Sequence, residues 1–323
     1  MRVSTPHPDR NKTVKTNHAL CGLIAGLLLL AAGTAQTRAG LYLPAAPGAP
    51  LYVQEVAPPS DVIAKFTPGG VGSVFASTGS NGARGMAFDF AGNLYVAYSN
   101  NNTIEKFTPA GVGSVFASTG LNGPFCLAFD NAGNLYAANR LGNTIEKFTP
   151  GGVGSLFASS GLSGPKGLAF DSAGNLFVAN GVDNTIEEFT PGGGGSVFAS
   201  SGLNSPEDLA FDSAGNLYAS NFNDSTIEKY TPGGTGSVFV RTGLNGPFGL
   251  AFDSADNLFV ANINGHSIVE FTPGGSGSVF ASFGRFIGPG YLAFGPTAVP
   301  EPGTALFGFA CLGLAASGRR RSA

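Results

Sequence analysis

Between Leu51 and Phe294 the apolar residues fall in short runs such as "GLAFD", "NLFVAN", "TIEKF" and "SVFAS". Each run is rich in aromatic or β-branched residues and is bounded by Gly, Pro, Asn or Asp. That is the pattern of β-strands, and no helical period runs through it. The four runs return in the same order. The aspartate of "AFD" stands at Asp89, Asp130, Asp171, Asp212 and Asp253, always 41 residues apart. The ring that opens "FTPGG" stands at Phe66, Phe107, Phe148, Phe189, Tyr230 and Phe271, again 41 apart. A fixed period of this size marks a repeat architecture. Four antiparallel strands, repeated six times, predict an all-β six-bladed β-propeller.

The punctuation between the runs agrees with strands. In "DSAGN" the aspartate can accept backbone N–H bonds while the glycine takes a left-handed conformation. In "TPGG" the proline presets φ at the second turn position, and a type II turn with positive φ at the first glycine is expected. The sixth "AF" phrase, Ala293-Phe294, has no following strand, and the missing strand stands at the other end as Leu51-Tyr52-Val53. The ring is therefore expected to close by pairing these two segments, which leaves no free sheet edge at the seam.

The unit "GPKGLAFDSAGNLFVANGVDNTIEEF" resembles the NHL repeat, over about 245 residues. The resemblance implies a propeller, a fold that carries enzymes, binding modules and scaffolds alike. Where the NHL pattern has an aspartate after the second strand, this chain has Asn139, Asn180, Asn221 or Asn262.

Both ends carry different patterns. Residues 1–39 hold Arg2, Arg10, Lys12 and Lys15 ahead of an apolar run from Ala19 to Ala32, then small residues with cleavage expected after Ala35 or Ala39. This is the three-part layout of a secretory signal peptide. Residues 40–50 read as a linker, 51–295 as the propeller and 296–323 as a separate tail. The tail has Pro300-Glu301-Pro302, about 15 apolar or small residues forming a short hydrophobic helix, and Arg319-Arg320-Arg321. It resembles the PEP-CTERM sorting signal. That resemblance implies transient membrane anchoring, processing by an exosortase-type enzyme, and a destination at the surface or in the matrix of a Gram-negative bacterium. A plain tail anchor is the alternative.

Charge narrows the partners. Residues 40–302 hold nine Lys and Arg against 19 Asp and Glu, a net charge of about −10. Nucleic acid is not expected as a partner, since its phosphates need a positive face. One cysteine, Cys126, remains after both ends are set aside, so no internal disulfide can form.

Near-identical blades supply the same group many times, whereas catalysis needs different groups converging. The informative columns are those where repeats disagree. Behind the proline turn stand Arg84, Phe125, Lys166, Glu207, Phe248 and Gly290. Past the second strand stand Tyr98, Asn139, Asn180, Asn221 and Asn262. Both columns are expected at one end of the ring, around its opening, while the "DSAGN" and "TPGG" turns form a nearly invariant opposite end. Tyr98, Phe125 and Phe248 could stack on sugar rings with the asparagines hydrogen-bonding, although asparagines in such places also cap backbone. Glu207-Asp208 with Lys166 could act in acid–base chemistry, or be solvated loop charges. His266 and the "AFD" aspartates read as turn residues, and Cys126 as a small buried filler. No cofactor, metal site or catalytic residue is assigned. The expected function is a non-catalytic binding scaffold for polysaccharide or a surface protein. The alternative is an enzyme of the NHL-like group, a lactonase or a lyase resembling the virginiamycin-degrading type, acting at the opening.

Overall fold

The computed structural model describes residues 47–56, 61–79, 82–284 and 288–296. The signal-peptide and sorting-signal readings, Pro300, Glu301 and Pro302 included, lie outside these residues. Six four-stranded antiparallel sheets make up the described part, which contains no helix. In the first blade the strands are Ala83–Phe88, Leu94–Tyr98, Thr103–Phe107 and Gly113–Ala117, ordered from the axis outward. Four more blades repeat this from Pro124, Pro165, Pro206 and Pro247. The sixth joins Gly288–Phe294 to Leu51–Val56, Asp61–Phe66 and Gly72–Gly79. Leu51 pairs with Phe294, Tyr52 with Ala293 and Val53 with Leu292, so the ring closes as the sequence predicts. The six innermost strands touch one another in a closed circle.

The recurring aromatic residues build the contacts between blades. Each second-strand ring (Tyr52, Tyr95, Tyr136, Phe177, Tyr218 or Phe259) meets the "SVFAS" phenylalanine of its own blade. It also meets the "AF" phenylalanine of the next blade. For Tyr95 the two partners are Phe116 at 4.9 Å and Phe129 at 5.0 Å, both edge-to-face. Such pairs contribute about 0.5–1.5 kcal/mol each beyond the area they bury, and the repeat supplies one within each blade and one across each junction.

The turns differ from expectation in one respect. The hydrogen bond of "TPGG" runs from the Gly70 N–H to the Thr67 carbonyl, and φ is positive at Gly70, not at Gly69. This is a type I turn followed by a left-handed bulge residue, not type II. Ala110 shows why: it occupies the Gly69 position in the next repeat, where only a negative φ is asked of it. The "AFD" aspartates are turn staples. Asp89 Oδ1 accepts the N–H groups of Ala91 at 3.0 Å and Asn93 at 2.8 Å. His266 takes φ of 49°, matching Asn102, Asn143, Asn184 and Ser225 in their turns.

Candidate functional site

The first two variable positions of the inner strands meet at the axis. The second of them alternates around the ring: Gly85, Cys126, Gly167, Asp208, Gly249, Tyr291. Backbone spacing requires it. A Cβ on Gly85 would lie 2.6 Å from the Cα of Cys126, and one on Gly167 would lie 2.7 Å from the Cα of Asp208. Every other blade therefore gives up its side chain so that its neighbour can point inward. Cys126, Asp208 and Tyr291 are all buried.

The first position fills the rest of the opening. Phe125, Phe248 and Tyr291 form one aromatic group, with Phe125–Tyr291 at 5.8 Å and Phe248–Tyr291 at 5.1 Å between centroids. The guanidinium groups of Arg84 and Arg140 lie over Phe125 at 5.3 and 5.2 Å. On the opposite side Lys166 Nζ forms a close ion pair with Glu207 and donates to Ser205 Oγ at 3.1 Å. Phe125, Lys166, Glu207 and Phe248 are only 5–8% exposed. The opening is plugged by its own lining.

Burial sets the electrostatics of the plug. Asp208 accepts the amides of Leu209 and Leu250, yet loss of solvent pushes its pKa up to about 7, with the Glu207 charge adding to the rise. Burial also raises Glu207 against the opposing pull of Lys166. The Cys126 thiol is raised by burial and by Asp208, and the Tyr291 hydroxyl by burial first. Arg84 Nε, Glu207 Oε2 and the Tyr291 hydroxyl have no hydrogen-bond partner.

The second variable column belongs to the fold. Asn139 Oδ1 accepts the Asn122 N–H at 3.0 Å, while its Nδ2 donates to the Gly120 carbonyl at 2.8 Å and to Thr144 Oγ1 at 3.0 Å. Asn180 and Asn221 repeat all three bonds, and Asn262 holds the Asn245 N–H and the Gly243 carbonyl. These amides tie the incoming loop to the blade, the capping alternative weighed for them. Tyr98 is fully buried among Leu94, Val96 and Phe107. Sequence columns thus located the plug, but not its inward packing. Solvent at this end meets instead the loop residues Arg140, Leu141, Val182, Asp183, Asn223 and Asp224. Among the described residues no three His, Cys, Asp or Glu side chains gather as a metal site would require.

No family model and no curated protein sequence matches the chain. Solved structures do match its fold. The Nidogen/Laminin complex contains a chain 18% identical, with a TM-score of 0.68 over 76% of this chain and 97% of that one. A streptogramin B lyase is 17% identical, with a TM-score of 0.56 over 72% of this chain and 74% of its own. Virginiamycin B lyase from Staphylococcus aureus is 18% identical, with a TM-score of 0.55 over the same shares. These likenesses establish the six-bladed propeller, whose neighbours include both a protein–protein complex and enzymes.

Proposed function

We propose that the chain is an exported, surface- or matrix-located binding scaffold without catalytic activity, recognising polysaccharide or a surface protein through the variable end of its ring. The observation that carries this reading is the plugged axis. With Phe125, Phe248 and Tyr291 packed together and Lys166 paired to Glu207, the variable end offers a loop rim in place of a deep cleft. That rim differs from blade to blade and mixes Arg140, exposed Leu141 and Val182, and the carboxylates of Asp183 and Asp224. Such a mixture of apolar and polar groups suits contact with an extended partner. Export and matrix location rest on the two end segments, with an exosortase-type enzyme as the processing partner.

Retention of the protein on a panel of immobilised neutral and acidic polysaccharides tests the reading. Binding that falls about tenfold or more in an Arg140→Ser, Leu141→Ser, Val182→Ser variant would support it; a tenfold loss corresponds to about 1.4 kcal/mol. One observation favours the enzyme reading instead. Asp208, Glu207, Lys166 and Tyr291 are different titratable groups in one buried place, with Asp208 near neutrality, as acid–base sites often are. Turnover of a cyclic lactone that is abolished by Glu207→Gln would replace the scaffold by that enzyme.

A further inference from the structure

At the turn end of the ring, the repeats disagree in one pair of columns that rises and falls together. Where the second strand carries Tyr95, Tyr136 or Tyr218, the facing third-strand residue is Lys106, Lys147 or Lys229. Where it carries Phe177 or Phe259, the facing residue is Glu188 or Glu270. In the lysine blades the ammonium sits 5.0–5.2 Å from the tyrosine ring centre and 3.4–3.5 Å from the "AFD" aspartate. The fold thus displays, three times, the arrangement that holds an ammonium here: an aromatic face and a carboxylate.

The fifth blade keeps the ring and the carboxylate but lacks the cation. Asp253 Oδ1 staples its turn through the amides of Ala255 and Asn257, and Oδ2 accepts Asn257 Nδ2 at 2.9 Å. The phenol and ammonium that approach the same oxygen in the lysine blades have no counterpart, because Phe259 lacks the hydroxyl and Glu270 replaces the lysine. At this junction a cavity of about 270 Å³ opens. Its walls include Asp253, Ser254 and Glu270, with Phe259, Phe280 and Phe294 as an aromatic floor and residues 47–49 on one side. Phe259 meets Phe280 at 5.0 Å and Phe294 at 5.2 Å, so the floor is fixed by the edge-to-face packing found at every junction. Burial and the neighbouring Asp253 raise the pKa of Glu270, as expected of two carboxylates with no cation between them.

We propose that this cavity binds an external primary ammonium on a short alkyl stem, placed between Asp253 and Glu270 over the Phe259 ring, where the sibling blades place their own lysine. The apolar stem lies along Phe280 and Phe294. The site is independent of the variable end and of any polysaccharide bound there.

The test uses the full chain and the probe Nα-acetyl-lysine N-methylamide, followed by amide chemical shifts. The expected result is saturable, millimolar binding that moves the amides of Ser254, Ala255 and Glu270 and weakens as salt screens the charges. Glu270→Lys should abolish binding, because the new side chain occupies the site as Lys106 does. The double variant Phe259→Tyr, Glu270→Lys, which copies the tyrosine–lysine pair of the first, second and fourth blades, should fold and should likewise not bind the probe. Glu270→Gln should weaken binding about tenfold, roughly the 1.4 kcal/mol that one lost charge contact of this kind can represent. A probe acetylated also on Nε should not bind. Equal shifts with the acetylated probe, unchanged binding in Glu270→Lys, or saturation by calcium in place of the amine would each overturn the proposal.

Discussion

At the turn end, the "AFD" aspartates of five blades make the same bonds to their own turns, and three of them add the same lysine. At the opposite end the inner strands carry Arg84, Phe125, Lys166, Glu207, Phe248 and Gly290 in register, five residue types over six blades, and their side chains pack against one another across the axis. The first arrangement is local: each aspartate answers to residues two and four positions away, so one solution can be copied from blade to blade. The second is collective. Six identical side chains would place like beside like at the axis. Six phenylalanines would overfill it, and six lysines would repel. Filling the axis with large side chains therefore calls for variation between blades, before any ligand is considered.

The largest effect is expected at the buried ion pair. Lys166→Met leaves Glu207 buried and unpaired, which costs about 3–5 kcal/mol. Replacing both partners, Lys166→Met with Glu207→Leu, should recover most of the loss. Chemical denaturation of the two variants and the parent measures the difference. An equal loss in single and double variants would mean that packing, not charge, holds this part of the plug.

The two ends should also titrate with opposite sign. Asp208 keeps its proton in the folded ring up to about pH 7, whereas an unfolded aspartate loses it near pH 4. The folded state binds more protons in between, so stability falls as pH rises from about 4 to about 7, by at most a few kcal/mol. At the turn end, burial would raise Asp89, Asp130 and Asp212. Hydrogen bonds from Asn93, Asn134 and Asn216 and the nearby lysines outweigh it and hold them below the usual range. Their contribution is present above about pH 4 and lost as pH falls through their folded values. Thermal unfolding followed across pH should show both slopes, and Asp208→Asn should reduce the neutral one, leaving the part that Glu207 and the other glutamates raised by burial contribute.

Smaller changes sharpen the contrast. Asn139→Ala removes three hydrogen bonds that tie a loop to its blade, and should cost about 1–3 kcal/mol for the buried groups left unpaired. Glu188→Lys, which places a lysine opposite Phe177 on the third strand of the third blade, should stabilise by about 0.2–1 kcal/mol, the range of a partly exposed ion pair. Both are readable as shifts in denaturation midpoint.

Much of this molecule was legible in its sequence, because a repeat displays each local decision several times. The six sheets, the seam between Leu51–Val53 and Leu292–Phe294, and the turn role of His266 follow from the period and from turn chemistry. The positive φ falls at Gly70 and not at Gly69, and Ala110 in the Gly69 column is the residue that speaks against positive φ there. The Lys106-to-Glu270 column is not visible in a single repeat, because "TIEKF" reads as strand filler until it is set beside the ring it faces. The inward packing of Phe125 against Phe248 could not be read at all. It joins residues of different blades across the axis, and strand pattern gives their column but not how deeply the column is buried.

Cys126 reports directly on the plugged axis. Its thiol is buried beside Asp208, at a point the plug shields from solvent. In the full chain with Cys21→Ser and Cys311→Ser, reaction of this thiol with a small disulfide reagent under native conditions measures access to the axis. Labelling is expected to be slower than that of the unfolded chain by a factor on the order of 100 or more, since a buried thiol with a raised pKa is inert. A marked acceleration is expected in a folded Phe125→Ala, Phe248→Ala variant. Labelling of the parent at the rate of a free thiol would contradict a plugged axis.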